Sequence, residues 1–558
     1  MNDYIKRGED YIKNLSAEFK VCMCCTFIIG LIAHMFVYTN PMFIMDDSAV
    51  YSEPFTLAGE AASSRWLGYF FHLVMGLVKM TWLYGVLNFI IYGFSAYAIV
   101  KIFHIERKLS AALISGIMVT CPTFTSGNLF IVSSVQYACG LLSACLAVYA
   151  FYYFKHKYLW CGFFLLICEG CYAAYIGTAM ALFLFKSLID LCKEKNENFK
   201  ENFLEQLKFA GLCIFTMLLT YIIMKVITVL STSGLQQRVE IVEGRSLLGW
   251  LVQVFETYAR AVFVFLPLGR SYFWGNKVFF FLFWITVLYT VFLYIKALKE
   301  NKSIGKNTKL ILLDILILPL AINATGMLFI AHDLMRWAFI TPWIFIIAFH
   351  EKIVTTAFDS KYASRSSVLV LALSMITIVN GIYIANMAYM KEYVVYESAM
   401  QLTTRVSDRI ESADGYIVGE TPVYLVGTPK QYEINRKQFD FMRQLTGSVP
   451  LSFSSIYLKQ QAGLPINIIG EYKYSRKQTN SPVEQLRGMG YDVDVEKFEQ
   501  LLSETEEFPS KYCTFWYDNI LVVKLSDLSE DEEEVVTMDL PHRIMEFFKG
   551  LMEETEDY

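Results

Sequence analysis

Two neighbouring carboxylates, Asp46 and Asp47, follow the first long apolar run of the chain. Arginines recur in polar stretches that alternation of the apolar runs puts on the same side: Arg65, Arg238, Arg245, Arg260, Arg270 and Arg336. A carboxylate can take a proton from an acceptor hydroxyl as a general base. A guanidinium is always charged and grips a phosphate through two donors at once. Together these groups suit group transfer from a lipid phosphate at a bilayer edge, with arginine stabilising the charge that develops on the leaving phosphate. Adjacent residues point in different directions, so one aspartate can face the reactants while the other contacts substrate or fixes backbone. Two solvated loop acids would present the same sequence.

The elements that must position these groups are apolar helices. Of the 558 residues, 55% are hydrophobic and 18% charged, against roughly a quarter charged in soluble domains. Mean hydropathy is +0.40 and the net charge is -5. That balance excludes a disordered chain, a fibre and a simple soluble enzyme, and it offers nothing to a nucleic acid. Eleven of the 12 cysteines lie in apolar stretches and Cys513 stands alone in the polar C-terminal part, so no structural disulfide is expected. A bilayer core needs about 20 apolar residues per helix. Eleven stretches qualify as an expectation: 18–38, 81–100, 109–131, 133–154, 158–172, 174–191, 207–230, 276–296, 309–331, 335–351 and 366–389. Residues Glu169-Gly170-Cys171 must turn the chain between the fifth and sixth. Lysine and arginine concentrate in alternate loops, for example Lys101, Arg107, Lys155, Lys193, Lys299 and Lys352. The positive-inside rule then puts the N-terminus in the cytoplasm and everything after the eleventh span outside.

Three outer segments depart from simple loops. Residues 39–80 hold the aspartate pair and then Ser63-Ser64-Arg65-Trp66; the apolar run 66–79 contains His72 and is too short to span, so an interfacial helix is expected. Residues 231–275 carry Arg238, Arg245, Arg260 and Arg270, and the run 246–268 reads as a membrane-dipping helix because Glu256 and Arg260 sit four apart inside it. The turn Ala331-His332-Asp333-Leu334-Met335-Arg336-Trp337 packs three ionisable groups at the surface; a polar helix cap and a substrate contact through His332 and Arg336 are both open. Lys225, near the outer end of the seventh span, either snorkels to the interface or meets a phosphate.

Beyond Met390 the apolar spacing shortens. Helical spacing over 393–412 precedes short runs at 416–419, 423–427, 468–470 and 520–523 that read as strands, and Ser481 before Pro482 reads as a helix N-cap. The expected organisation is a transmembrane domain over 1–390 and a small α/β domain over 391–558 with an acidic tail.

The aspartate pair in the first outer loop, the Ser64-Arg65-Trp66 element, the short membrane-facing helix, many further spans and a terminal soluble domain resemble the C-type (GT-C) membrane glycosyltransferases. Within them the chain is most similar to the bacterial glucosyltransferases of O-antigen modification and serotype conversion, over roughly residues 15–390. The family tends to show Gly-Arg-Trp where this chain has Ser64-Arg65-Trp66. The resemblance implies an inner-membrane enzyme of GT-C fold. It would move a hexose, glucose or another, from a polyprenyl-phosphate donor to a lipid-linked or cell-surface glycan outside the cytoplasm. It makes Asp46 or Asp47 the catalytic acid/base and Arg65 a substrate contact. It implies no cofactor and no metal in the transfer step, a divalent ion on the aspartate pair being the alternative. A transporter or flippase of lipid-linked saccharides would show internal repeats and mid-membrane charges; a polymerase or ligase would show a larger outer loop.

Overall fold

A computed structural model describes residues 15–40, 42, 56–75, 80–193, 199–230, 247–266, 276–300, 307–327, 333–427, 466–472 and 481–527. They fall into two compact units, the first running to Tyr396 and the second starting at Glu397.

The first unit is helical. Eight helical segments among the described residues are long and apolar enough to cross a bilayer, or nine with one bent pair: Ala17–Thr39 (α1), Thr81–Ile102, Ile131–Tyr153, Lys157–Lys193, Phe199–Leu230, Lys277–Glu300, Trp337–Ala357 and Ser360–Glu411, with Lys108–Thr120 and Pro122–Asn128 forming the pair. The short helices Leu57–Ala62 (α2) and Gly68–Met75 (α3) precede Thr81–Ile102 (α4). Then come Lys108–Thr120 (α5), Pro122–Asn128 (α6) and Ile131–Tyr153 (α7).

The expected span 109–131 is thus two pieces, bent by 46°. Cys121 is extended (φ -67°, ψ 145°) and Pro122 opens the next helix, because a residue before proline is steered out of the helical region. Every residue of α6 is buried. The expected span 309–331 also shortens: its helix, Thr308–Ile322, ends three residues after Pro319.

The 37-residue apolar segment Lys157–Lys193 comprises Lys157–Tyr172 (α8), a tight turn Ala173–Tyr175 and Ile176–Lys193 (α9). Tyr172 is extended (φ -161°, ψ 96°). The Phe151 ring lies 5.9 Å from Tyr158 and 5.4 Å from Phe183. In one straight helix those two partners would stand about 37 Å apart, so the chain folds back at Tyr172. The expected turn therefore exists, three residues beyond Glu169, which stays helical. Glu169 is buried and accepts from Thr216 Oγ1 (2.7 Å) and Thr220 Oγ1 (2.8 Å) of Phe199–Leu230 (α10). Two donors offset the cost of a carboxyl in an apolar bundle.

At one end of the bundle, charges pair across helices: Glu18 with Lys101 (4.0 Å), Lys157 with Glu205 (2.5 Å) and Lys352 with Glu106 (3.3 Å). Helix Leu247–Ala259 (α11) continues as a π turn through Phe265. It is held by Gln253 Nε2 donating to the Gly326 carbonyl (2.9 Å), by Asn323 Nδ2 donating to Thr257 O (3.1 Å) and by Trp284 Nε1 donating to Leu266 O (2.9 Å). The helices Lys277–Glu300 (α12), Thr308–Ile322 (α13) and Ser360–Glu411 (α14) complete the unit's long elements. The expected last span 366–389 is only the middle of α14, a 52-residue helix.

The second unit contains, among the described residues, a four-stranded sheet of order β2-β1-β4-β3. Strand β1 (Pro422–Val426) pairs in parallel with β2 (Asn467–Tyr472) and β4 (Ile520–Lys524), and β3 (Thr514–Tyr517) pairs antiparallel with β4. Val423 and Leu425 join one apolar cluster, while Tyr424 and Val426 join another, as alternation along a central strand requires. Ser481 caps helix Pro482–Gly488 in a reciprocal capping box with Glu484. The expected strand at 416–419 is instead a turn. Strand β3 and helix Val495–Glu504 add to the expected elements; Asp518, in the left-handed region (φ 52°), closes the β3–β4 hairpin. The acidic tail lies outside the described residues.

Close helix packing makes one test. A Cβ on Gly381 would collide with the Thr120 backbone carbonyl. Gly381→Ala is expected to lower stability by about 1–3 kcal/mol, read as a reduced thermal unfolding midpoint in detergent.

Candidate active site

The site is built where residues 56–75 dock on the bundle. Thr56 caps α2 by accepting from Gly59 N (3.0 Å). The chain then turns through Ser64, whose φ of 64° lies in the left-handed region. This is the position where the resembled family tends to carry glycine, and the backbone here has the shape glycine adopts most readily. Arg65 N donates to Glu60 O (2.9 Å), and Leu67 N donates to Gly170 O (2.9 Å) on α8. Trp66 lies against Gly170, where any Cβ would come within 2.7 Å of the indole. Its Nε1 is buried with no acceptor among the described residues.

Arg65 is held at both ends of its guanidinium. Nη2 lies 3.4 Å from Glu60 Oε1, and Nη1 donates to the Tyr137 hydroxyl (3.2 Å) on α7. His72 Nε2, on α3, stands 3.8 Å from the same Glu60 oxygen. Glu60 and His72 are each 1% exposed. Burial, and then the adjacent Arg65 charge, lower the His72 imidazole to about 4, so it is neutral at pH 7. Gln136 Nε2, beside Gly68, donates to Cys171 O (2.7 Å). The other face of α3 carries exposed Phe70, Leu73 and Val74, the amphipathic character expected of this run.

A buried polar network forms beside this loop. His34 Nε2 faces the Val119 carbonyl (2.6 Å) and so carries the proton; His34 Nδ1 then accepts from the Tyr389 hydroxyl (2.7 Å). Asn128 Nδ2 donates to Tyr389 (3.3 Å), and Tyr38 donates to Asn128 Oδ1 (2.8 Å). Asn88 Nδ2 donates to Tyr38 (3.1 Å) and to Ser134 Oγ (2.9 Å). Six helices, α1, α4, α5, α6, α7 and α14, are tied together by these bonds. The polar residues interrupting apolar runs, His34, Asn88 and Asn128, were the available signal; Glu60 and Tyr137 carried none.

The residues expected to act lie as follows. Asp46, Asp47, Arg238, Arg245, Arg270 and His332 are outside the described residues. Arg65 and Trp66 share the docked loop. Arg336 follows a turn, Asp333–Met335, that packs on α6. Because α6 also packs on α7, it lies between the turn before Arg336 and the helix that carries Tyr137. Arg336 also lies over the Phe339 ring (5.9 Å). Lys225 is half-buried on α10, the helix against which α2 packs. Arg260 is paired with Glu256 and 53% exposed; no described contact joins it to the Arg65 cluster. No group of three or more His, Cys, Asp or Glu suited to a metal occurs among the described residues.

Two measurements check this geometry. Ser64→Gly is expected to keep or raise the unfolding midpoint, whereas Ser64→Val should cost about 2 kcal/mol at this left-handed position. Because the His72 imidazole is lowered from about 6.5 to about 4 on folding, the unfolded chain binds more protons between those values. Stability is then full above pH 6.5 and is lost as pH falls through 4, by about 1.4 kcal/mol per pH unit at most. Unfolding midpoints of the wild type should fall across that window, and those of His72→Phe should fall less steeply.

Comparison with known proteins adds the family. Neither the curated proteins nor the solved structures compared with this chain give a match. The family model described as Glucosyl transferase GtrII matches residues 35–342, more than half of the chain and all of the segment from Asp46 to Arg336. The docked Arg65–Trp66 loop, the α6 bend and the polar network from Tyr38 to Asn128 all fall inside that stretch, and the chain belongs to the GtrII glucosyl transferase family, of the serotype-conversion type.

Proposed function

We propose that this glycosyltransferase moves a hexose from a polyprenyl-phosphate donor to a lipid-linked or cell-surface glycan on the extracytoplasmic face of a bacterial inner membrane. The observation that carries the reading is the anchoring of Arg65: Glu60 and Tyr137 hold a guanidinium against the bundle at the end opposite the paired lysines. The positive-inside rule assigns the lysine-rich end to the cytoplasm. Counting α8 and α9 separately, α5 with α6 as one bent crossing and α13 as a short one, the chain traverses eleven times, which leaves residues after α14 outside.

In this reading Asp46 or Asp47 takes the proton from an acceptor hydroxyl. The freed oxygen pair attacks the anomeric carbon, the bond from that carbon to the phosphate oxygen breaks, and the polyprenyl phosphate departs with the electron pair. Arg65, Arg336 and Arg270 are candidates to stabilise the phosphate, with Arg238, Arg245, Arg260, Lys225 and His332 as further contacts. Trp66 would offer its indole N–H and an apolar face to the sugar. The transfer step calls on no cofactor; a divalent ion at the aspartate pair is tested by chelation.

Transfer of radiolabelled glucose from a polyprenyl-phosphate donor in membranes is the direct assay. One of Asp46→Asn and Asp47→Asn should reduce transfer at least about 1,000-fold with an unchanged unfolding midpoint, as expected for loss of a base and its positioning. Arg336→Ala and Arg270→Ala should weaken donor binding more than folding. Full transfer by both asparagine variants would reject the general-base role.

A further inference from the structure

Glu392 lies beyond the matched stretch and is absent from every role assigned above. It sits on α14, one turn past Tyr389, on a face that is wholly buried through Ile384, Ala385, Ala388 and Tyr389. Glu392 itself is 0% exposed. Both carboxyl oxygens are buried and have no hydrogen-bond partner among the described residues.

The other buried acids of this unit are provided for. Glu169 has Thr216 and Thr220, Asp314 has Ser187 (2.8 Å) and Gln206 (2.7 Å), Glu351 accepts from the backbone of Glu106 (2.7 Å), and Glu60 faces Arg65. A carboxyl left without donors is costly, so an acid kept that way calls for a partner from outside. Its place narrows the partner. The next residue, Tyr393, packs its ring 5.7 Å from Phe36 in the last turn of α1. From there the chain runs directly into the segment bearing Asp46 and Asp47. One turn back, Tyr389 closes the network of His34 and Asn128. A phosphate would be repelled by an acid and is already suited by the arginines. An array of hydroxyl groups supplies the donors a carboxylate lacks.

We propose that Glu392 is a substrate-binding residue that accepts hydrogen bonds from hydroxyls of the donor sugar. This rests on the donor reading above. The test uses full-length protein in lipid nanodiscs with two probes, a polyprenyl-phosphate glucose and the bare polyprenyl phosphate. The wild type should be stabilised more by the sugar-bearing lipid. Glu392→Met, of similar volume and without the unpaired acid, should unfold at a higher temperature than wild type without ligand, respond equally to both lipids, and show a KM for donor raised about tenfold or more, the scale of one lost charged hydrogen bond. Glu392→Gln, read in the same way, serves if the methionine variant does not fold. A variant that keeps both the sugar-dependent increment and the wild-type KM overturns the assignment of Glu392 while leaving the transferase reading intact. A wild type shifted by neither lipid overturns the donor reading and this inference with it.

Discussion

A guanidinium held against an apolar bundle requires a countercharge, and the Arg65–Glu60 pair meets that requirement at the centre of the docked loop. Glu60 is almost fully buried, so neither partner could be removed without stranding the other. The pair also fixes backbone. Arg65 N bonds to the Glu60 carbonyl, which makes the Ser64 turn, and that turn delivers Trp66 onto Gly170 and Leu67 onto the α8 backbone. The loop is thereby anchored to α7 and α8 by side-chain and main-chain contacts together. The functional candidates are positioned by this clamp, since Arg65 belongs to it and Trp66 follows immediately.

The same rule, that polar groups in an apolar interior must find partners, organises the rest of the helical unit. Glu169 binds two threonines of α10 at the level of the loop contact, so the helix beneath Trp66 is tied sideways. The α6 bend turns a half-length helix into the bundle, where Asn128 bridges Tyr38 and Tyr389. A bend of this kind is tolerated in an apolar setting only if neighbouring groups satisfy what the broken helix releases. Here α6 is fully buried, and it packs on both the turn before Arg336 and α7. The α6 helix is thus the element that joins these parts of the chain by packing. Glu392 stands out against this background because it alone among these acids has both oxygens without a partner among the described residues.

Much of the architecture was legible from residue order. Hydropathy and length identify the apolar helices because a bilayer-sized apolar run has few alternatives. The capping residue Ser481 and the strands at β1 and β4 followed from local chemistry. The fold-back near Glu169 was legible because two spans had to be accommodated. The Arg65–Trp66 element and the aspartate pair were enough to suggest the family that the comparison then supplied. What sequence order alone determines here is local: which stretches are apolar, where proline breaks them, and which short motifs carry charge.

Tertiary structure decided the remainder, because it depends on contacts between residues far apart in the chain. Glu60 reads as an ordinary loop acid until Arg65 and His72 close on it, and Tyr137 is one aromatic among many until the guanidinium reaches it from 72 positions away. The split of 109–131 follows from Pro122, which overrides hydropathy over a short range, whereas the helical spacing at 393–412 joins the apolar run 366–389 in one helix, α14. Whether a buried carboxyl is satisfied, as Glu169 is and Glu392 is not, is a property of neighbours brought from other helices, and no periodicity within one helix can encode it.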